Sequence, residues 1–506
     1  MPDHNNFMGQ KPIIDNSKIP SYVTHVTETL EKGNFEVFLV GGCVRDLIIG
    51  RTPKDWDITT NAKPEEIIGL FEKTVYENTF GTVGVCIPVT HGTLESVAYE
   101  TKYDIIEVTP YRIEAKYSDF RHPDEVKFSD KIEDDLKRRD FTVNALAYSI
   151  SKGQLVDLFD GIKDIKDKVV RAVGEPSDRF NEDALRMLRA VRFSVQLDFA
   201  ISHETMQAIV DKSELLKNIA KERIQDEFNK IIQSSNPAQG VGLLQKLGLL
   251  KYIIPELEEG IGCEQGGAHI YDVFEHLLAA LNNAAQKGYS HEIRLAALFH
   301  DIGKPRSRRP GQKKEYTFYG HEVIGERMVK VIMDRLKYPR KTTDLVVSLV
   351  RNHMFFSDTA QITLSAVRRI IAKVGKENIW KLMEIRECDR VGMKKVEAPY
   401  RLRKYHAMIE EVLHDPISVG QLVINGGVIQ SLGIKPSPRI GWILHILLEE
   451  VLDNPSKNEI SYLKEKVLTL NELSDNELKE IGTKSKEKKD ELEKEEVGKL
   501  HKKHGV

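Results

Sequence analysis

The chain has 506 residues, enough for several domains that each bury a core. Charged residues make up 30% of it, yet the formal net charge is −3, so RNA binding would need local basic patches. The four cysteines form no CxxC pair, which indicates a reducing compartment and argues against a zinc knuckle. Because no apolar run of about 18 residues and no signal-peptide pattern is present, we expect a cytoplasmic protein without a membrane segment.

A strand, a tight turn and a helix are predicted near the start of the chain. The apolar run 37–40 stops at Gly41 and Gly42, which predicts a buried strand that enters a turn. A helix should follow, with Arg45 in its first turn and Gly50 at its end. Backbone amides at such a helix start suit a phosphate group.

Two carboxylates follow this unit. Asp55 and Asp57 are two residues apart, so on a strand both would project from the same side. Two carboxylates that point one way repel each other unless a cation such as Mg²⁺ lies between them. Together with the Gly-Gly turn they favour a nucleoside triphosphate site, and the alternative is a solvated strand face.

The surrounding segments predict a mixed α/β domain. Helices are expected at 19–33 and 63–71, and strands at 83–88 and 103–109. The alternating pattern of the last strand brings a third carboxylate within reach, and the alternative is a salt-bridged strand residue.

Three stretches, taken together, closely resemble the head domain of the class II tRNA nucleotidyltransferase and bacterial poly(A) polymerase family. They are Leu39-Val40-Gly41-Gly42, Arg45-Asp46 and Asp55-Trp56-Asp57. The resemblance implies an α+β protein, with a polymerase β-like head followed by all-α neck, body, HD and tail regions. It makes Asp55, Asp57 and Glu107 the catalytic carboxylates, with Asp104 as the substitute for Glu107, and it implies nucleotide contacts from Gly41, Gly42 and Arg45.

The chemistry implied is nucleotide transfer by two Mg²⁺ ions. One ion would lower the pKa of an RNA 3′-hydroxyl, and both would stabilise charge on the α-phosphate and on the departing pyrophosphate. The polar stretch 111–130 corresponds to the family's mobile loop, whose presence favours addition of both C and A. The alternative is a surface insertion.

A second motif lies at 138–144. Arg138 and Arg139 precede a helix that Asp140 could cap, and Asn144 lies one turn further on. The string resembles the family's Arg-Arg-Asp-Phe-Thr signature. That implies triphosphate contacts from the two arginines and ribose contacts from Asp140 and Asn144, while the plain alternative is a capped amphipathic helix.

A third motif lies in a helix predicted over 179–193. Asp183 and Arg186 should share one side of that helix, where they could read the Watson-Crick edge of a base or form an ordinary salt bridge. Glu182-Asp183-Ala184-Leu185-Arg186 resembles the family's amino-acid template, which selects CTP and ATP. Arg189 and Arg192 would add positive charge toward the triphosphate or the RNA end.

The rest of the chain is predicted to be helical. The pattern at 221–255 is helical with 240–250 joining two helices, and 260–267 reads as a linker. The string His300-Asp301-Ile302-Gly303-Lys304-Pro305, with His276 upstream, resembles the HD metal-dependent phosphohydrolase domain. The resemblance implies a metal held by His276, His300, Asp301 and Asp389, with His321 and His353 nearby.

The implied HD metal is a divalent transition ion, and the implied activity is hydrolysis of a phosphoester such as a 2′,3′-cyclic phosphate. Basic clusters at 306–309, 368–369, 394–395 and 401–404 could follow an RNA backbone, although such clusters are often solvated surface. The segment 433–446 reads as a turn that feeds a helix, and it resembles a tail that grips the tRNA elbow. Beyond residue 482 the charged composition predicts disorder or a solvated helix.

The resemblance thus implies an enzyme that adds CCA to tRNA from CTP and ATP, and we expect no obligate protein partner. The expected domains are a head at 1–150, a neck and body at 151–265, an HD domain at 266–395, a tRNA-binding tail at 396–482 and a charged end at 483–506. A poly(A) polymerase and an enzyme that adds only A or only CC are alternatives within the family. An HD phosphohydrolase with a silent RNA-binding head is the alternative from another class.

Overall fold

The computed structural model describes residues 14–76, 81–89, 102–115, 125–266, 270–311, 315–354, 362–391 and 399–481. The chain divides into two compact units, Met1–Ile253 and Ile254–Val506. The first unit carries a mixed α/β region followed by helices, and the second is almost entirely helical. The predicted fold class is therefore confirmed.

The first unit contains both the long strands and the helices that pack on them. Its strands are β1 (Val37–Val40), β2 (Asp57–Thr60), β3 (Thr74–Tyr76), β4 (Val83–Val89), β5 (Lys102–Pro110), β6 (Arg112–Ala115), β7 (Glu125–Phe128), β8 (Leu146–Ser149), β9 (Gln154–Asp157), β10 (Val169–Val170) and β11 (Ala200–Ile201). Its helices are α1 (Ser21–Lys32), α2 (Gly42–Ile48), α3 (Pro64–Leu70), α4 (Ile132–Lys137), α5 (Gly161–Asp167), α6 (Pro176–Glu182), α7 (Leu185–Leu197), α8 (His203–Lys212), α9 (Lys221–Ile232), α10 (Pro237–Lys246) and α11 (Leu250–Ile253).

Seven strands form one sheet in the order β3-β4-β5-β2-β1-β8-β9. The four residues of β1 are all buried, which fits their continuous apolar sequence. β1 pairs antiparallel with β2 and with β8, and β2 pairs parallel with β5. The predicted head strands and both predicted head helices are present within a few residues of their expected bounds. Gly50 follows α2 with φ +79°, as expected for a residue that ends a helix.

The helix predicted after Asp140 is wrong. Thr142–Asn144 form one turn of 3₁₀-helix, and β8 begins at Leu146. All four residues of β8 are buried between β1 and β9, so tertiary burial overrides the helical preference of the Leu-Ala sequence.

Two further helix predictions also need correction. The helix expected over 179–193 breaks at Asp183, whose extended backbone (φ −141°, ψ 104°) separates α6 from α7. The connection expected at 240–250 is shorter than predicted, because Gly240 lies inside α10, which continues to Lys246, and α11 begins at Leu250. A Cβ there would come 2.4 Å from Cγ2 of Ile231, so the absence of a side chain lets α10 pack closely on α9.

The second unit is built from helices α12 (Pro255–Glu258), α13 (Val273–Gln286), α14 (His291–Phe299), α15 (Lys304–Ser307), α16 (His321–Arg335), α17 (Arg340–Asn352), α18 (Leu364–Val374), α19 (Ile379–Asp389), α20 (Pro399–Val412), α21 (Gly426–Ser431), α22 (Pro438–Asp453) and α23 (Ile460–Asn471). Two short strands, β12 (Arg309–Pro310) and β13 (Tyr316–Thr317), pair with each other. Apolar residues of α21, α22 and α23 share one core, and α22 confirms the turn and helix predicted at 433–446.

Three predictions concern residues that the structure does not describe. They are the predicted loop at its residues 116–124, the basic cluster at 394–395 and the charged end at 483–506. Among the described helices, none is long and apolar enough to cross a membrane. The four cysteines are buried and unbridged.

Candidate active site and metal centre

The two head carboxylates flank the start of β2. Asp57 is the first residue of that strand, whereas Asp55 lies in the bend before it, so the prediction that both stand on one strand holds only for Asp57. Trp56 between them is buried. Burial raises the pKa of Asp57, the guanidinium of Arg139 lowers it, and the negative charge of Asp55 raises it. The charge of Asp55 therefore acts on the carboxyl group of Asp57.

A third carboxylate lies beside Asp57 in the sheet. The parallel pairing of β2 with β5 sets Glu107 opposite Asp57, whereas Asp104 lies three residues earlier, opposite Ile87 of β4. This register favours Glu107 over Asp104 as the third acid. Among the described residues, these head carboxylates do not form a group with ligand atoms within 4.8 Å of one another. An open set of oxygens still fits Mg²⁺, which takes further ligands from substrate phosphates.

The Gly-Gly turn packs against an arginine. Gly41 has φ +81°, and a Cβ on it would lie 2.9 Å from Nη1 of Arg139. A larger residue would therefore be strained and would also displace the guanidinium. Arg45, on α2 after the turn, donates from Nη1 to Oδ1 of Asn144 at 2.5 Å. The turn and the helix after it thus lie beside Arg139 and Asn144 of the 138–144 motif.

Arg138 and Arg139 are held by a residue that sequence analysis missed. Asp135 is fully buried and accepts from Nη2 of Arg138 at 2.7 Å and from Nη2 of Arg139 at 3.0 Å. Burial alone would raise the pKa of Asp135, but the two arginines lower it. Its position three and four residues before the arginines on a helical stretch was the signal that could have found it.

Asp140 connects the head to α7. Its Oδ1 accepts from the Phe141 amide at 2.8 Å and from Nδ2 of Asn144 at 3.1 Å, and its Oδ2 accepts from Nε of Arg189 at 2.8 Å. Burial alone would raise the pKa of Asp140, but Arg189 and Asn144 lower it to about 2. The contact expected between Asp140 and Asn144 is therefore present, although no helix carries it.

Asp183 and Arg186 are near in sequence but are not paired with each other. Asp183 accepts from Nη2 of Arg223 at 2.8 Å. Arg186 donates to Glu182 at 2.6 Å and to the carbonyl oxygen of Arg138 at 2.9 Å. The alternative of a salt bridge between Asp183 and Arg186 is thus wrong, because the helix breaks at Asp183 and its carboxylate binds Arg223 of α9.

Helix α9 supplies two charged residues that sequence analysis did not single out. Arg223 contacts Asp183, and Glu227, one turn further on, is 2% exposed. Its Oε2 lies 3.0 Å from Nε of Arg192, and its Oε1 lies 3.9 Å from Nη1 of Arg189. A charged pair at i and i+4 on an amphipathic helix was the only sequence signal. The predicted arginines of α7 are therefore braced by a buried acid.

In the second unit, the four predicted HD ligands meet. Nε2 of His276 lies 3.4 Å from Oδ2 of Asp301 and 3.5 Å from Oδ1 of Asp389. The corresponding distances from Nε2 of His300 are 3.2 and 3.4 Å. All four side chains are buried. Imidazole nitrogen and carboxylate oxygen are ligands of divalent transition ions, so this donor set fits the metal that the sequence implies.

His321 and His353 are also close, as expected. Their Nε2 atoms lie 3.1 and 3.5 Å from Oδ1 of Asp301. Burial alone would lower the pKa of His300, but Asp301 and Asp389 raise it to about 10.

Two cations next to this cluster, the buried Lys304 and the partly buried Arg386, were not predicted. Nζ of Lys304 lies 2.5 Å from Oδ2 of Asp301 and donates to Oε1 of Gln265 at 2.6 Å. Nη1 of Arg386 donates to Oδ2 of Asp389 at 2.6 Å, leaving Oδ1 of that residue toward the histidines. The signals were Lys304 within the HD string and Arg386 three residues before Asp389.

The basic clusters differ in their surroundings. Arg368 is buried and contacts Asp415 at 2.6 Å, and Arg369 contacts Glu449 at 3.1 Å. Both arginines are therefore paired with acids of the second unit, and the RNA contact suggested for this cluster stays a prediction.

Family models match three parts of the chain. Residues 37–171 match the poly A polymerase head domain, residues 198–261 match the probable RNA and SrmB-binding site of polymerase A, and residues 273–391 match the HD domain. The sheet, with its carboxylates at β2 and β5, together with the first match, defines a nucleotidyltransferase.

Comparison with known proteins narrows this class. A CCA-adding enzyme of Levilactobacillus brevis is 32% identical over 434 residues, which cover 86% of this chain and 94% of that protein. The chain belongs to the CCA-adding enzyme family. The crystal structure of the Bacillus stearothermophilus CCA-adding enzyme in complex with CTP aligns with a TM-score of 0.66 and 26% identity, covering 92% of this chain and all of that one. The Thermotoga maritima CCA-adding enzyme, solved with tRNA, shares the fold at a TM-score of 0.51 and 20% identity, covering 89% of this chain and 95% of that one.

Proposed function

We propose that this protein adds C, C and A to the 3′ end of tRNA, taking the nucleotides from CTP and ATP and releasing pyrophosphate. The observation that carries the proposal is the position of Glu107 opposite Asp57 in the sheet, with Asp55 just before the strand. Membership of the CCA-adding family and the RNA-binding match at residues 198–261 support tRNA as the acceptor. We also propose that the protein acts in the cytoplasm, because unbridged cysteines suit a reducing compartment.

The three carboxylates would place the reacting groups. Asp55, Asp57 and Glu107 would hold Mg²⁺, which supplies charge stabilisation at the α-phosphate and activates the RNA 3′-hydroxyl. Side chains of the protein would orient the nucleotide. The Gly41 turn leaves room for the guanidinium group of Arg139. The buried Asp135 fixes the guanidinium groups of Arg138 and Arg139. Such fixed cations stabilise negative charge on the departing pyrophosphate without having to reorganise.

Nucleotide choice would depend on α7 and the residues that brace it. We propose that Asp183 and Arg186 contact the edge of the incoming base, that Asp140 and Asn144 contact the ribose, and that Arg189 and Arg192 bind the triphosphate or the RNA end. Arg223 and Glu227 on α9 support this role, because they hold Asp183, Arg189 and Arg192 in place. A site with fixed polar partners rejects a base that leaves them unpaired.

Extension of defined tRNAs tests the proposal. A tRNA that lacks CCA and one that ends in CC are incubated with Mg²⁺ and labelled CTP or ATP, and the products are sized on a sequencing gel. The proposal requires three added residues and then a stop. Extension of the CC-ended tRNA alone would indicate an A-adding enzyme. A halt after two added C residues would indicate a CC-adding enzyme, and long ladders of A would indicate a poly(A) polymerase. No incorporation would indicate a silent head.

The buried histidine cluster favours a second activity. We propose that the HD unit hydrolyses a phosphoester, such as a 2′,3′-cyclic phosphate, when its metal is bound. Lys304 and Arg386, next to Asp301 and Asp389, fix the carboxylates of this centre. Release of 2′-nucleotide from 2′,3′-cyclic AMP in the presence of Ni²⁺ or Mn²⁺ tests the proposal. The activity should be lost in His276→Ala and kept in Asp57→Asn, and its absence from the wild-type protein would contradict it.

A further inference from the structure

The sheet face that carries the head carboxylates continues along β5. Side chains alternate between the two faces of a strand, and residues paired across neighbouring strands point to the same face. Glu107 lies opposite Asp57, so both acids stand on one face. Ile105 and Tyr103, which are two and four residues before Glu107, share that face with them. Ile106, which lies on the other face, is buried.

Two apolar side chains of this face are open to solvent. Ile105 is 54% exposed and Tyr103 is 38% exposed. Nζ of Lys73 lies 3.6 Å from the centroid of the Tyr103 ring. The chain brings Lys73 there because its carbonyl oxygen accepts from the amide of Cys86, at 3.0 Å, and Cys86 is the partner of Ile105 in the sheet. An exposed aromatic ring beside a cation is typical of surfaces that bind single-stranded nucleic acid.

The direction of the proposed reaction leads to this part of the sheet. In phosphoryl transfer the attacking and the leaving oxygen lie roughly in line, on opposite sides of the phosphorus atom. β2, which carries Asp57, lies between β1 and β5. The Gly41 turn and Arg139, which would face the departing pyrophosphate, are on the β1 side. The attacking 3′-hydroxyl group therefore approaches from the β5 side.

We infer that Lys73, Tyr103 and Ile105 form an acceptor strip that binds the unpaired 3′ end of the RNA. The inference rests on the proposed nucleotide addition and adds the acceptor side of the same site. Along the strand, Ile105 lies about 7 Å and Tyr103 about 13 Å from Glu107. The second distance spans about four stacked nucleotides, so Tyr103 would stack on a base near the 3′ end and Lys73 would contact a phosphate.

This chemistry suits an RNA end that changes with each addition. Stacking on an aromatic ring uses the flat face that every base has, and the contact of an ammonium group with a phosphate is independent of sequence. The acceptor strip would therefore hold the 3′ end before and after a nucleotide is added, while the residues proposed to select the nucleotide act on the other reactant.

Binding of two tRNAs to the full-length protein tests this inference. One tRNA ends in CC and the other lacks its unpaired 3′ nucleotides, and both are measured by filter binding without nucleotide. Tyr103→Ala should weaken binding of the CC-ended tRNA about 5-fold or more, the effect of one lost base stack, and should leave binding of the shortened tRNA unchanged. Tyr103→Phe keeps the ring and should bind both tRNAs as the wild type does.

A tyrosine on the opposite face of the same sheet supplies the matched control. Tyr76 of β3 is 53% exposed, and it is paired with Val83, which is in turn paired with Val108 on the buried face. Tyr76→Ala removes an equally exposed ring away from the acceptor strip. This variant should bind both tRNAs as the wild type does.

Lys73→Ala gives a second readout that does not depend on the aromatic ring. Loss of one phosphate contact should reduce the slope of log affinity against log salt concentration by about 0.7 for the CC-ended tRNA. Lys32→Ala, at the exposed end of α1, is the control and should keep the wild-type slope.

Two results would overturn the inference. They are an unchanged affinity of Tyr103→Ala for the CC-ended tRNA, and an equal loss of affinity for both tRNAs. Extension of tRNA by the same protein would in either case leave the proposed function standing. If the wild type binds tRNA without extending it, the proposed function fails, and the comparison of the two tRNAs still decides whether the acceptor strip binds the 3′ end.

Discussion

The carboxylate of Asp183 is paired with Arg223 of α9, at 2.8 Å from its Nη2, and not with Arg186 of its own sequence motif. The contact is partly buried, with the Asp183 side chain 17% exposed and that of Arg223 25% exposed. A residue proposed to read the base is therefore positioned by a helix that lies 40 residues further along the chain. Base selection should depend on that helix as well as on the motif.

Replacing Arg223 by Ala should weaken nucleotide selection. The charge-assisted hydrogen bonds that orient Asp183 are lost, and such bonds contribute about 1.5 to 3 kcal/mol. Discrimination of CTP and ATP against UTP and GTP should therefore fall about 10- to 100-fold. Single-turnover incorporation of each nucleotide on the appropriate tRNA measures the ratio. Glu222→Gln, at the exposed neighbouring position, is the control and should keep it. An unchanged ratio in a folded Arg223→Ala protein would remove α9 from base selection.

Asp57→Asn should abolish nucleotide addition without destabilising the fold. Loss of the strand carboxylate should reduce the rate by about 10³-fold or more. Because burial raises the pKa of Asp57, folding disfavours its charged form at neutral pH, and the neutral amide should leave the free energy of unfolding unchanged or higher. Extension assays and urea denaturation measure the two effects. Glu65→Gln, an exposed carboxylate change on α3, should alter neither. A destabilised Asp57→Asn protein would instead mean that Asp57 supports the fold.

Asp140 should govern part of the acid sensitivity of the first unit. Its pKa of about 2 in the folded protein lies below the ordinary value of 3.8, so the charged form stabilises the fold above about pH 4. That contribution, about 2 kcal/mol, should disappear as the pH falls from about 4 to 2. Asp140→Asn should lower the free energy of unfolding at pH 7 and should lose less stability than the wild type on acidification. Urea titrations at pH 7, 4 and 3 measure this difference. An equal loss of unfolding free energy between pH 7 and pH 3 in the two proteins would contradict this prediction.

Gly240→Ala should destabilise the packing of α10 on α9. Its new methyl group would lie 2.4 Å from Cγ2 of Ile231, a buried β-branched side chain that has little freedom to move, so we expect a loss of about 1 to 3 kcal/mol. Gly69→Ala is the matched control, because Gly69 lies in α3 of the same unit with nothing within 4 Å of its Cβ position. That change should be neutral or stabilising by up to about 1 kcal/mol. Thermal unfolding of both variants makes the comparison, and equal melting temperatures would refute the close-packing explanation.

Much of this architecture was predictable from local sequence. The apolar run 37–40 ends at a glycine with positive φ, and the alternating pattern at 103–109 forms a strand, because in both places burial and local preference agree. The HD histidines were also predictable as a group, since a short string carries two of the ligands. Their convergence with Asp389 follows from the packing of α19 beside α13 and α14.

The errors arose where distant contacts decide local structure. Leu146 to Ser149 form a strand only because β1 and β9 lie on either side of them. Asp183 leaves the helical conformation and binds Arg223, and nothing in the sequence next to Asp183 indicates this contact. Gly240 resembles a helix end in sequence but serves as a contact point for Ile231. In each case the determining residue lies far away along the chain or on another element.

The strand order has a consequence for synthesis of the protein. β1 lies between β2 and β8, so the Gly41 turn, Asp57 and Asn144 come together only when strands more than 100 residues apart have paired. Loops of that length close slowly, and the unpaired edge of β1 would be exposed to other chains in the meantime. A nascent chain released before β8 should therefore aggregate instead of retaining a weakened site. The Gly-Gly turn, Asp57 and Asn144 would then come together only after β8 has been synthesised, and the arginines of α7 would join them later still.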